Sequence, residues 1–205
     1  MLEPESTQKA IETVTLFLEK IVNPPLNELG LLFQDKVRLW RFNNQLKIVA
    51  KAQKMVEEHN ISVQPVSLKI LAPLLDMGSL EEDENLQDMW AHLLANYANK
   101  ELHLKSTIFP FILSQLSNRE AVVLNYNFQT EELGYFENKS DENNFFELEE
   151  YELMNLLRLR LLAEQYSTNK ALAGFAPGLS SSLRVKTHLT PLADEFLKAC
   201  TKVSR

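Results

Sequence analysis

Apolar residues recur at helical spacing through the first half of the chain, and this pattern predicts a series of helices. The first is predicted over residues 1–22 and ends at Asn23-Pro24-Pro25, because proline lacks a backbone N–H and restricts the residue before it. A long helix from Leu26 to about His59 follows. Two apolar stripes on it indicate burial on two sides. Their members are Leu29, Phe33, Val37 and Trp40, then Leu39, Phe42, Leu46, Val49 and Val56.

Two further helices are predicted before residue 104. An extended stretch from Ile61 to Pro65 leads into a short buried helix at Leu68–Met77, which contains Pro73. Ser79 is expected to cap the next helix, whose acidic start at residues 81–84 would interact favourably with the helix dipole. Its apolar positions fit an amphipathic helix. They are Leu86, Met89, Trp90, Leu93, Leu94 and Tyr97.

The pattern changes after about residue 105, where helices alternate with two short predicted strands. The predicted helices run through Phe111 and Leu116, from the capping box Ser117-Asn118-Arg119-Glu120, over Phe146–Leu157, and from Thr190-Pro191 to about Lys202. The strands are Leu161–Tyr166 and Leu183–Leu189, joined by a hairpin tip at residues 167–182. This is the element order of a winged helix. We therefore predict a mainly α protein, with a helical region over residues 1–104 and a winged-helix-like α+β region with a small β-hairpin over residues 105–205.

Composition places the chain among ordinary globular proteins. It has 205 residues, of which 45% are hydrophobic and 24% charged. No apolar run reaches the roughly 18 residues that a membrane-spanning helix needs, and the acidic start lacks the basic-then-apolar order of a secretory signal. The single cysteine excludes an intramolecular disulfide. The sequence thus predicts a soluble, cytoplasmic protein.

Charge is unevenly distributed around a net value of −7. Residues 131–152 hold nine acidic side chains and one lysine, and residues 129–144 are predicted to be a loop. Residues 36–54 carry only basic charges, at Lys36, Arg38, Arg41, Lys47, Lys51 and Lys54. Cations alternate there with Trp40 and Phe42, so a surface that binds RNA or phosphate is one interpretation. We favour the other, in which both aromatic residues are core and the arginines pair with the carboxylates of residues 76–88.

Candidate catalytic and metal-binding residues are few. The five glycines form no phosphate-binding motif, and the four histidines form no zinc-binding pair. His92 is predicted at the surface or its boundary, and Cys200 as a core thiol. Glu84 and Asp88 could hold a divalent ion, which is the weakest of the hypotheses. The sequence therefore predicts no catalytic residue, no metal ligand and no cofactor.

The predicted winged helix raises the question of DNA binding, which its charges disfavour. The helix that would enter the major groove carries no base and four glutamates, which are Glu147, Glu149, Glu150 and Glu152. Phosphate neutralisation supplies most of the affinity for nucleic acid, so this helix would repel the ligand. The hairpin offers only Lys170, Arg184 and Lys186. A scaffold for protein contacts is the favoured interpretation.

Two stretches of the chain carry a family pattern. The residues are Asp35, Lys36, Arg38, Trp40, Arg41, Phe42, Asn44 and Gln45, then Pro65, Leu68, Pro73, Leu74, Glu81, Glu82, Leu86, Gln87, Trp90, Leu93, Leu94 and Asn96. With them the chain resembles the Abi-alpha (abortive infection alpha) family of bacterial proteins over about residues 26–200. The family pattern has Gly where Arg160 and Ala193 stand here.

The resemblance implies a role in bacterial defence against phage, in which an infected cell stops growing before virions mature. It implies no catalytic residue and no cofactor. We therefore predict a non-enzymatic interaction protein whose partner is another protein, phage-encoded or a second copy of the chain. The predicted partner-binding residues are Lys36, Arg38, Arg41, Lys47, Lys51, Glu149 and Glu150. The alternative is a nucleic-acid-binding regulator that depends on Arg38, Arg41 or Lys186.

Overall fold

The computed structural model describes residues 36–130, 148–165 and 186–202, together with Leu16, Phe17 and Lys20. These residues form seven bounded helices and two strands, so the described chain is mainly helical, as predicted. The helices are α1 Lys36–Glu58, α2 Leu68–Gly78, α3 Glu84–Ala98, α4 Phe109–Leu113, α5 Asn118–Thr130, α6 Glu150–Arg158 and α7 Pro191–Thr201; the strands are β1 Leu162–Gln165 and β2 Lys186–Leu189.

Some predictions fall outside the described residues. Most of the predicted helix at residues 1–22 does so, although Leu16, Phe17 and Lys20 are helical and Phe17 is buried. The start of the predicted long helix (residues 26–35), most of the acidic loop and the hairpin tip also lie outside. The described chain forms two compact units, Met1–Asn118 with Lys198–Arg205, and Arg119–Leu197. The predicted boundary between residues 1–104 and 105–205 stays a prediction.

The first unit has its core where α1 lies against α3 and α2 lies against α4. The apolar positions predicted for α3 are all buried, which confirms that amphipathic pattern. Gly78, the last residue of α2, allows Ile48 of α1 and Trp90 of α3 to lie close to the α2 backbone. A Cβ atom there would lie 3.1 Å from Ile48 Cδ1 and 3.2 Å from Trp90 Cδ2. A side chain at position 78 would therefore push against α1 and α3 together.

The end of α1 follows the sequence prediction closely. The Ile61 N–H donates to the Val56 carbonyl at 2.9 Å and the Asn60 N–H to the Glu57 carbonyl at 3.2 Å. With Asn60 at φ 52°, these two bonds make a Schellman ending, which satisfies carbonyls that a helix terminus leaves open. The chain then runs extended, as predicted, and Val63 bridges to Asn99.

The predicted cap of α3 was wrong by four residues. Asp83 is the N-cap, because its Oδ1 accepts the N–H groups of Asn85 at 2.9 Å and Leu86 at 3.2 Å. Ser79 instead ends α2, and its hydroxyl donates to the Asp76 carbonyl at 2.5 Å. A serine hydroxyl can cap either end of a helix, so the sequence alone did not distinguish the two roles.

The second unit contains the antiparallel strand pair that the sequence predicts. β1 and β2 pair from Leu162 with Leu189 to Gln165 with Lys186. α6 starts at Glu150, whereas the prediction placed the start at Phe146, outside the described residues; Leu148 and Glu149 precede the helix. The predicted cap of α7 is confirmed, since Thr190 Oγ1 accepts the Ala193 N–H at 3.1 Å.

Arg160 occupies a left-handed backbone position at the end of α6, with φ 60°. The Leu161 N–H donates to the Leu156 carbonyl and the Arg160 N–H to the Leu157 carbonyl, both at 3.0 Å, which is a second Schellman ending. Glycine is the residue that suits this conformation, and the resemblance described above led us to expect it here. The turn therefore keeps its geometry with arginine, at a cost of about 1 kcal/mol in backbone strain.

Candidate interaction surfaces

Arg41 of α1 binds the C-terminal end of α2. Its Nη2 donates to Asp76 Oδ1 at 2.5 Å and to the Asp76 carbonyl at 3.0 Å, and its Nε donates to Ser79 Oγ at 2.8 Å. The Arg41 side chain is 33% exposed. The prediction that arginines of α1 pair with carboxylates of residues 76–88 is confirmed for Arg41. Its guanidinium is therefore occupied inside the fold.

Two amides complete this contact. Asn44 is buried and its Nδ2 donates to the Ser79 carbonyl at 3.1 Å, while Gln45 Nε2 donates to the Leu75 carbonyl at 3.0 Å. Asn44 thus supplies a donor to the carbonyl of the C-cap residue Ser79, and Gln45 adds a second donor to the Leu75 carbonyl, which also accepts the Ser79 N–H at 3.1 Å. We call Arg41, Asn44 and Gln45 the α2 cap. All three belong to the family pattern, and here they act in packing.

The remaining bases of α1 lie in three different environments. Lys51 Nζ binds Asp88 Oδ1 at 2.6 Å, which joins α1 to α3, and Lys54 pairs with Glu58 at 3.6 Å within the helix. Lys47 is exposed and has no ion pair within the described residues. Lys36 and Arg38 stand in the first turns of α1, and their side chains lie outside the described residues. The predicted basic surface thus has one free described cation, Lys47.

The aromatic residues of this stretch are less buried than predicted. Trp40 is 36% exposed and Phe42 is half-buried. The interpretation of Trp40 as a core residue was therefore wrong, whereas Ile48, Val49 and Ala52 further along α1 are buried.

The acidic run before α3 is structural. Glu81 Oε1 accepts the N–H groups of Glu82 and Asp83, both at 2.9 Å. With Asp83 as N-cap and Glu84 in the first turn, carboxylates satisfy or face the positive end of the helix, as the dipole argument predicts. Glu84 and Asp88, proposed above as a metal pair, are exposed, and Asp88 is bound by Lys51. The described residues hold no group of three or more His, Cys, Asp or Glu side chains that could bind a metal.

The start of α6 carries the predicted acidic binding residues. Glu149 is the N-cap, and its N–H donates to Glu152 Oε2 at 2.8 Å, which closes a capping box. Arg119 of α5 reaches both carboxylates, with its Nη1 4.0 Å from Glu149 Oε1 and its Nε 3.5 Å from Glu152 Oε2. Glu150 is exposed in the first turn. Glu149 is thus partly used within the fold, and Glu150 faces solvent.

Each unit also contains a buried polar side chain that joins two of its segments and that the sequence analysis did not identify as a contact. In the second unit, buried Glu120 accepts a 2.9 Å hydrogen bond from Asn155 Nδ2, which joins α5 to α6. In the first unit, buried Asn96 donates through Nδ2 to the carbonyls of Ala199 at 2.7 Å and Lys202 at 2.6 Å. Asn96 thereby caps the C-terminal end of α7 from α3. The partners of Asn96 and Glu120 are distant along the chain, so these roles become visible only in the folded structure.

Two buried titratable groups lie in the core of the first unit. Burial raises the pKa of the Cys200 thiol well above its usual value, which confirms Cys200 as a core residue. Burial, and to a smaller extent the nearby Cys200, raises the pKa of Tyr97, whose hydroxyl donates to the Ser106 carbonyl. Both groups therefore stay neutral at physiological pH.

His92 lies at the boundary between the core and the surface of the first unit. The His92 ring is half-buried, with Nδ1 2.8 Å from the Asp88 carbonyl oxygen, as predicted for a boundary histidine. Among the described helices, none combines the length and the hydropathy that a membrane span requires.

Comparison with known proteins gives one match. The family described as "Abortive infection alpha" matches residues 35–200, which is most of the chain and includes the α2 cap and the whole described second unit. No curated protein and no solved structure matches the chain. With a family match over this length, the chain belongs to the Abortive infection alpha family.

Proposed function

We propose that this chain is a non-enzymatic interaction protein of abortive infection, acting in the bacterial cytoplasm to exclude phage through protein–protein contacts. The observation that carries the proposal is the family match over residues 35–200. The arrangement of polar side chains supports the mode of action. Arg41, Asn44 and Glu152 make polar contacts that hold helices to one another.

The solvent-facing charges indicate where a partner would bind. Of the basic residues predicted to bind a partner, Arg41 and Lys51 are held in ion pairs, so their contribution to recognition is reduced. Lys47 on α1 and Glu150 on α6 keep exposed charges. Exposed, unpaired charges steer association and contribute to specificity. We propose that these two positions are the recognition points of the two units.

A plaque assay tests this proposal. Bacteria expressing the wild-type chain are challenged with a phage panel, and survival of infected cells is followed in parallel. We expect fewer plaques than with an empty vector, together with early arrest of infected cells. The charge reversals Lys47→Glu and Glu150→Lys should weaken protection, whereas the matched reversals Lys69→Glu and Glu82→Lys, also at exposed positions, should leave it intact. Full protection by a variant that carries both Lys47→Glu and Glu150→Lys would contradict the proposed recognition points.

The second unit is proposed to be winged-helix-like. Its element order of α5, α6, β1, β2 and α7 supports this arrangement, and the antiparallel pairing of β1 with β2 is the pairing that a wing has. That order also favours a second candidate function, a nucleic-acid-binding regulator. The exposed Glu149 and Glu150 at the start of α6 oppose it, because they would face the phosphates.

Binding measurements separate the two functions. A regulator would bind labelled duplex DNA or RNA with an affinity that falls steeply with salt and that depends on Lys186 of β2, Arg38 or Arg41. We expect no such binding by the wild-type chain at physiological salt. Salt-dependent binding that is lost in Lys186→Glu would move the regulator to first place.

A further inference from the structure

One side of α6 presents large apolar side chains to solvent. Tyr151 is 72% exposed and Met154 is 59% exposed, and the two lie one turn apart on the helix. Glu150 is exposed beside them, whereas Glu152 and Leu156 on the other side are buried. We call Glu150, Tyr151 and Met154 the α6 face. Tyrosine and methionine are enriched at protein interfaces, where they supply large contact area at low entropic cost.

The charge around the α6 face is negative. Glu149 and Glu150 precede Tyr151, and α6 has no basic residue before Arg158 in its last turn. Arg119 of α5 lies 4.0 Å from Glu149, so Glu150 carries the charge that is left for a partner. A partner that brings cations to the edge of this face would gain electrostatic attraction, and an acidic partner would be repelled.

We propose that the α6 face docks a cationic amphipathic helix of a partner protein. Its apolar side chains would cover Tyr151 and Met154, and its lysines or arginines would lie over Glu150. Two anchors one turn apart match the i, i+3, i+4 spacing of apolar residues on such a helix. The inference rests on the proposed function, in that the chain acts through protein contacts, and it specifies the partner's chemistry.

The test uses the purified full chain and a labelled probe. The probe is a synthetic helix of leucine and lysine, about 18 residues long so that helix formation is favourable, with leucines at helical spacing. Fluorescence anisotropy should show saturable binding. The double variant Tyr151→Ser/Met154→Ser should bind about tenfold more weakly, because truncated anchors dominate interface energy. Glu150→Lys should weaken binding by about threefold, and less so at high salt.

Matched controls make the result specific to this face. Leu80→Ser removes an apolar side chain that is 58% exposed in the first unit, and Glu82→Lys reverses an exposed charge there. Both should bind the probe like the wild type, and a probe with glutamate in place of lysine should not bind. Absence of wild-type binding, or equal weakening by the controls, would overturn the proposal. Circular dichroism confirms that each variant is folded.

Three outcomes separate this inference from the proposed function and from a second copy of the chain as the occupant. Binding is measured without phage, so protection in the plaque assay without face-specific probe binding would retain the proposed function and overturn the inference. Face-specific binding without protection would retain the inference and overturn the proposed function. Concentration-dependent self-association in sedimentation velocity, lost in Tyr151→Ser/Met154→Ser, would assign the α6 face to a second copy of the chain and overturn the heterologous partner.

Discussion

The C-terminal end of α2 and the N-terminal end of α6 are both surrounded by polar side chains, and the two regions use them differently. At α2, three donors from α1 point inward and satisfy backbone carbonyls. At α6, Glu152 points inward to Arg119, while Glu150, Tyr151 and Met154 remain in solvent. The α2 cap is therefore a packing contact. The exposed α6 face is the better candidate for recognition.

The largest expected effect comes from removing the α2 cap. The double variant Arg41→Ala/Asn44→Ala should lower the free energy of unfolding by about 3 kcal/mol, because the carbonyl of buried Ser79 loses the Asn44 donor and the charge-assisted hydrogen bond from Arg41 to Asp76 is lost. Urea denaturation measures it. The control Asn43→Ala/Lys47→Ala changes two exposed residues of the same helix and should stay within about 0.5 kcal/mol of the wild type. Equal stability of both double variants would show that the cap is dispensable.

Inward-facing groups of the first unit also predict a pH dependence. The raised pKa of Cys200 means that the folded state holds its proton where the unfolded state releases it. Stability is therefore fully present below the pKa of an unfolded thiol, about 8.5, and falls above it by at most about 1.4 kcal/mol per pH unit for this group. Tyr97, whose pKa is also raised, extends the loss above the ordinary tyrosine range.

Unfolding in urea between pH 8 and about 10, the range in which an unfolded thiol and tyrosine titrate, measures this effect. Cys200→Ala should flatten the pH profile, whatever its effect on absolute stability. The same slope in wild type and variant would mean that the thiol ionises without unfolding.

The two Schellman endings provide a smaller and more local comparison. Arg160→Gly should raise the free energy of unfolding by about 0.5–1 kcal/mol, because glycine adopts the left-handed conformation without the Cβ clash. Asn60→Gly should gain less, since asparagine tolerates that conformation better than arginine. Thermal and urea unfolding of both variants, with Arg158→Gly as a helical control that should lose stability, checks the order.

The smallest expected change in stability is at the α6 face. Tyr151→Ser/Met154→Ser should alter the free energy of unfolding by less than about 0.5 kcal/mol, because both side chains are mostly in solvent. A loss of phage protection with unchanged stability would place the function of these residues in recognition. A loss of stability comparable to that of the α2 cap variant would instead show that they pack against the fold.

Local patterns predicted the elements well. The C-terminal end of α1, both ends of α7, the strand pair and the buried side of α3 all follow from periodicity, turn residues and Thr190-Pro191. Errors arose where a residue type permits two roles. Ser79 was expected to begin a helix and instead ends one, and Trp40 was expected in the core and is partly exposed.

The candidate site was predictable only in part. The acidic start of α6 is visible in the sequence, but the exposure of Tyr151 and Met154 depends on which side of α6 packs. For Arg41 the sequence predicted a carboxylate partner within residues 76–88, but not which one, because Asp76 and Ser79 are 35 and 38 residues away along the chain. The spacing of residues within one helix carries no information about partners in another helix. The basic residues of α1 were therefore predicted to bind a partner, although Arg41 and Lys51 form ion pairs within the fold.

The contact of Asn96 with the end of α7 has a consequence for how the protein folds during synthesis. The first unit consists of residues 1–118 and 198–205, so its last piece is made roughly 80 residues after the rest. At a synthesis rate of about 5–20 residues per second, several seconds pass between the synthesis of α1 to α4 and that of residues 198–205. During this time Asn96 lacks its hydrogen-bond acceptors on Ala199 and Lys202, and the core lacks Cys200. A nascent chain stalled before residue 198 should therefore be more sensitive to protease in its N-terminal part than the released protein.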